Sequence, residues 1–183
     1  MKIHPVLLGM LLSALPLPAA QSDRRVVAPC ELTTASLMPS GGMNSVPGRE
    51  FSIRVSNDSP RTVAIPRTPD FGWRVESYLK GRWHLKAEGG PTRRLSPTDP
   101  HIVVTGKAKD QPLVEIAPAH GETMLVSLPE VEKALQPEEP FSQYRLTLYW
   151  AASAELAATN PKVLPCALAA EWEVRVRKLP PPK

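Results

Sequence analysis

Apolar and polar residues alternate with a period of two along much of this chain. In FSIRVSN, Phe51, Ile53 and Val55 alternate with Ser52, Arg54 and Ser56. Successive side chains of an extended backbone point to opposite faces, so this pattern predicts a half-buried strand. Asn57-Asp58-Ser59-Pro60 makes a turn, and RTVAIP returns with Val63 and Ile65 facing in. GWRVESYLK (72–80) places Trp73, Val75, Ser77 and Leu79 on one face. Lys80-Gly81 then turns the chain into RWHLK, with Trp83 and Leu85 on one face, which predicts a hairpin. PLVEIA (112–117) and GETMLVSL (121–128) flank Pro118-Ala119-His120-Gly121 and predict a second. QYRLTLYW (143–150) aligns Tyr144, Leu146, Leu148 and Trp150. The sharpest alternation is EWEVRVRK (171–178), with Trp172, Val174 and Val176 facing in and Glu171, Glu173, Arg175 and Arg177 facing out. ELTTASL (31–37) is β-prone, and PEVEKALQ (129–136), with a proline first and glutamates in its first turn, suits a helical turn or two. The reading is all-β: eight or nine short strands, at most one short helix, in a sandwich or barrel.

Proline strengthens it. The chain has 22 prolines in 183 residues, against a background of ~5%. Proline is excluded from helix interiors and central strands, so this abundance implies edges, turns and long connections. Two connections stand out. One is 66–72; the other is 87–112, a long loop broken by a candidate short strand, HIVVT (101–105).

Residues 1–20 read as a signal peptide: Lys2, an apolar run from Val6 to Leu17, then Ala19 and Ala20. The run is too short and too proline-broken for a membrane span, which needs ~20 residues. The expected domain is 21–178, followed by a disordered proline-rich tail, 179–183. After cleavage no membrane span is expected, and the mature protein is expected to be soluble, in a periplasm or outside the cell. In that oxidising setting the two cysteines, Cys30 and Cys166, are expected to form a structural disulfide. A metal or redox thiol pair is the rival, without a CxxC spacing or a neighbouring histidine to favour it.

Formal net charge is +4, with both signs interspersed. The longest basic clusters, Arg24-Arg25 and Arg93-Arg94, read as solvated surface, and no nucleic-acid partner is expected. No nucleophile motif is present, neither GxSxG nor SxxK, and neither cysteine has a plausible histidine partner. His84, His101 and His120 lack ligand spacing and read as solvated; no metal and no cofactor are expected. Met38, Met43 and Met124 do not form the methionine-rich run that copper handling would use. Glu130, Glu132, Glu138 and Glu139 read as an exposed connection rather than an acid–base pair. Trp73, Trp83, Trp150 and Trp172 fall on inward faces, whereas Phe71 and Tyr78 do not. Phe71, on the proline-stiffened segment 66–72, is a candidate exposed anchor for a partner, with tucking under the loop as the alternative.

From VPGREFSIRVSNDSPRTVAIP onward the chain resembles the immunoglobulin-like domains of secreted bacterial proteins. VEIAPAHGETMLVSL is similar to their apolar strand, Pro-x-x-Gly, apolar strand unit. QYRLTLYW is similar to their penultimate strand, where a tyrosine makes a corner bond. The layout also resembles the BsuPI-type proteinase-inhibitor domain. The resemblance spans about residues 31–178 and implies a single immunoglobulin-like antiparallel β-sandwich. It departs from antibody domains in having its cysteines near the ends. The functional expectation is an exported, non-catalytic module, such as an inhibitor, immunity-type protein or accessory subunit, that binds a protein partner through its loops. Its candidate contact residues are Arg67, Asp70, Phe71, Tyr78, Arg93 and Arg94. The alternative is a structural or assembly component of a cell-envelope or extracellular complex.

Overall fold

The computed structural model describes residues 24–39, 50–96, 98–105, 112–137 and 141–177. The expected signal segment and tail, Met43, Glu138 and Glu139 lie outside the described residues. In chain order the elements are β1 (Arg24–Val27), β2 (Thr33–Pro39), β3 (Glu50–Asn57), β4 (Val63–Pro66), β5 (Gly72–Leu79), β6 (Arg82–Gly89), β7 (Thr92–Ser96) and β8 (Asp99–Thr105). They continue with β9 (Leu113–Ile116), β10 (His120–Ser127), α1 (Pro129–Ala134), β11 (Phe141–Trp150), α2 (Ala154–Thr159) and β12 (Leu168–Arg177).

The fold is an all-β sandwich. One sheet runs β10-β3-β2, the other β12-β11-β5-β6, and every strand pair in them is antiparallel. The period-two pattern does what it predicts. Phe51, Ile53 and Val55 of β3 meet Leu146 and Leu148 of β11 and Val75 of β5 in one buried cluster, which also takes Val131 and Ala134 of α1. Tyr144, buried on the same face of β11, donates its hydroxyl hydrogen to the Gln136 carbonyl at 2.8 Å, a corner bond to the segment leading into its own strand.

The expected hairpin of 112–117 with 121–128, and the expected return of 63–65 after the turn at 57–60, are replaced by a bent ribbon. β9 does not pair with β10, nor β4 with β3: β10 pairs with β3 and β9 with β4. The same two chains therefore run side by side through both pairs and turn a corner between them, as strands do when they leave one sheet. Asn57 holds that corner. Its amide donates to the Arg61 and Ile116 carbonyls, each at 2.9 Å, while its oxygen accepts from the Ser59 backbone N–H and hydroxyl. The expected β5–β6 hairpin is present, with Lys80 and Gly81 both at positive φ in its two-residue turn.

The long connection 87–112 is corrected. Its first residues complete β6, and β7 and β8 form a hairpin within it. With β1 they make a further antiparallel sheet, β1-β8-β7. This sheet has its own small core on the outer side of the four-stranded sheet, where Val27, Ile102 and Val104 pack on Tyr149, Ala151 and Ala167. Gly72 allows the approach, because a Cβ there would collide with the Thr92 carbonyl oxygen. A second helix, α2, also exceeds the one expected; Ser153 caps it by accepting from the Leu156 N–H at 3.2 Å.

The disulfide forms as expected. Cys30 and Cys166 are bonded across a sequence separation of 136, with Cα atoms 4.9 Å apart. Beside it, the Cys30 N–H donates to the Ala167 carbonyl and the Ala167 N–H to the Ala28 carbonyl. The chain's early and late segments are thus joined by backbone as well as sulfur.

Candidate functional site

The outer face of β12-β11-β5-β6 brings charged and aromatic side chains together. Strand pairing places Arg74, Glu76 and Tyr78 of β5 beside Arg145 of β11, and Arg145 beside Glu173 of β12. Arg145 is the hub. Its guanidinium lies 2.6 Å from Glu173, 3.3 Å from Glu171 and 4.0 Å from Glu76, and 4.2 Å above the Trp83 ring. Burial pushes its pKa down, but the bonds and charges of Glu173, Glu171 and Glu76 outweigh that and leave it raised.

Trp83 was expected to face the core. Instead it lies on this outer face, and Leu85 beside it is 51% exposed. The hairpin register is the cause: with Leu79 opposite Arg82 across the two-residue turn, Trp83 falls opposite Tyr78 and Leu85 opposite Glu76 on the outer face. A β-bulge at Lys86 then returns Ala87 to the inner face, opposite Val75. Trp83 then meets Tyr78, centroids 5.1 Å apart. Of the other tryptophans, Trp150 is buried, and Trp73 and Trp172 are partly buried against the main core.

Next to this ridge a cleft of about 320 Å³ opens where β1-β8-β7 meets β5 and β6. Four arginines, Arg24, Arg74, Arg93 and Arg94, and one acidic residue, Glu88, line it. Arg74 is bonded to Glu76 at 2.8 Å. Arg94 lies over the Tyr149 ring, 5.6 Å from its centroid. Burial raises the Tyr149 pKa above its ordinary value, against the opposing pull of Arg94, the Thr147 hydrogen bond and Arg74. Leu85 and Leu95, both largely exposed, stand at the cleft.

The structure separates the expected contact residues. Arg93 and Arg94 share the cleft, and Tyr78 lies on the neighbouring ridge. Arg67 and Asp70 are exposed on the β4–β5 connection. Phe71 is not an exposed anchor: it is 5% exposed and belongs to the main core. Phe71 extends the inward alternation of Trp73 and Val75 by one step, which takes its ring into that core. Arg24, Arg74 and Tyr149 join the site without having been expected there. The two Arg-Arg pairs were the available signal, but each alone reads as surface.

Other chemistry is weak. His101 Nδ1 lies 2.6 Å from Asp99, but the Asp99 N–H donates to the Ser96 hydroxyl and the His101 N–H to the Asp99 carboxylate, which is the hydrogen bonding of a turn. No group of three potential metal ligands occurs among the described residues. Met38 is exposed while Met124 is buried in the main core.

No family model and no curated protein matches the chain. Among solved structures it is similar to the crystal structure of Spo0M, the sporulation control protein of Bacillus subtilis, at 9% identity and a TM-score of 0.40 over 82% of this chain. The match covers 51% of that protein, so this chain spans about half its length. A likeness this distant carries neither fold nor function here.

Proposed function

We propose that this protein is an exported, non-catalytic binding module that docks a protein partner on the outer face of β5 and β6. One observation carries the reading: the register of the β5–β6 hairpin sets Trp83 and Leu85 on the outer face beside Tyr78, next to a cleft rich in arginine. Aromatic residues and arginine are enriched at protein interfaces, and aromatic rings supply large contact area at low entropic cost. The docking surface is thus a sheet face and a cleft rather than the loop 66–72. The disulfide supports export, since such bonds persist in oxidising compartments. Among the described residues no helix is long and apolar enough to cross a membrane. The likeness to immunoglobulin-like domains of secreted bacterial proteins belongs to the same proposal.

The test is a photo-crosslinking residue placed at Leu85, with the same residue at Arg54 on the opposite sheet as control. In cells exporting the protein, position 85 is expected to yield a discrete adduct with another protein and position 54 none. Equal labelling at both positions, or an adduct only of the chain with itself, would count against a protein-docking face; the latter favours an assembly component.

A further inference from the structure

Resting on that docking face, we propose that the arginine cleft receives an extended, acidic segment of the partner in which carboxylate side chains alternate with aliphatic ones. Charge is the first argument. Four arginines and one acidic residue line the cleft, and neither Arg24 nor Arg93 is ion-paired among the described residues. Both are exposed on the same face of β1-β8-β7, each opposite a residue of β8. Arginine's planar fork takes a carboxylate through two parallel hydrogen bonds, which favours acidic side chains over a diffuse negative surface.

Shape is the second argument. Leu85 and Leu95 rim the cleft, and the buried Val103 side chain contributes to its lining. Side chains of an extended segment point alternately to two sides, so aliphatic residues can lie on the leucines while carboxylates reach the arginines. The surroundings limit the ligand. Beyond Arg74 the same sheet face carries Glu76, Glu171 and Glu173, which repel a long polyanion laid along it. Tyr149, the aromatic ring under Arg94, is buried and offers bases no stacking platform. A short acidic stretch fits this charge pattern better than a nucleic-acid strand.

The experiment uses the full disulfide-bonded protein and three labelled probes: a peptide alternating glutamate with leucine, its counterpart with glutamine for glutamate, and a single-stranded oligothymidylate of equal charge. The glutamate peptide is expected to bind and the glutamine peptide to bind about tenfold more weakly or not at all. Affinity should fall as salt is added, because exposed charges are screened. Arg24→Glu with Arg93→Glu should weaken the glutamate peptide by about tenfold or more, and Arg82→Glu, an exposed reversal outside the cleft, by less than about twofold. Circular dichroism melting of each variant separates loss of binding from loss of fold. Equal binding of both peptides, equal weakening by Arg82→Glu, or tighter binding of the oligothymidylate overturns the inference. Should the peptide fail while position 85 still crosslinks to a protein, the docking face stands and the acidic ligand falls. If position 85 also yields nothing, both fall.

Discussion

Gly72 and Tyr149 face each other across the β5–β11 pairing, and both serve the contact with β1-β8-β7. At Gly72 the obstacle to any side chain is a backbone carbonyl, which cannot rotate away. Gly72→Ala is therefore expected to destabilise the protein by about 3 kcal/mol or more, read as a lower urea midpoint. Tyr149 makes stability depend on alkaline pH. Its folded pKa is raised, so its contribution is fully present below the unfolded value and is lost as pH climbs through the folded one. Stability should thus decline above about pH 10, and Tyr149→Phe should flatten that decline. Denaturant midpoints from pH 8 to 11 check it; parallel curves for both proteins would refute the assignment. These residues also explain what the sequence hides. Arg25 and Arg94 occupy the same face as Val27 and Ile102, because Arg25 pairs with Val104 and Arg94 with Ile102. Arg25 can lie there by donating to the Ala152 and Ser153 carbonyls. The covered positions of β7 are Thr92, Arg94 and Ser96, and those of β1 are Arg25 and Val27, so neither strand shows an apolar alternation and both escape a hydropathy reading.

Among the elements, the strands of the main core were legible because their alternation is clean, β3 and β12 above all. Pairing was less so. Turn residues at 57–60 and 118–121 mark reversals of direction, but a corner between two sheets uses the same asparagine, proline and glycine chemistry as a hairpin. Alternation in RWHLK taken alone does not say which of its two faces turns inward, and for that reason the ridge of Trp83 and Leu85 read as core, although the two-residue turn at Lys80-Gly81 sets Trp83 opposite the outward Tyr78. The Ser153 cap with Glu155 in the first turn was a usable sign of α2. The corner itself is testable. Asn57→Ala strips hydrogen bonds from two carbonyls and one backbone N–H at a fully buried position. A loss of about 2–4 kcal/mol is expected, with β3 and β9 amides exchanging faster than those of β11. Uniform acceleration across all sheets would show that the corner is not a local hinge.

At the scale of the whole molecule the disulfide encloses most of the described chain, and in the chain-entropy account a loop this long contributes up to about 5 kcal/mol, with ~2–4 usual in practice. Cys30→Ser with Cys166→Ser is therefore expected to melt well below the parent, and reductant should lower the parent's melting temperature to meet it. An unchanged melt would mean that the backbone bonds at Ala167 hold the ends alone. The same clasp sets how the molecule bears force. Among the described elements, only β1 and β12 lie outside the loop. A chain drawn apart by its two ends would peel those strands and then stop against a covalent bond. The 136-residue separation between the cysteines, an extended length of about 450–490 Å, would be withheld from the tension. Reduction would release that slack, so the thiol state of one bond decides whether this protein behaves under load as a short stiff link or as a long compliant one.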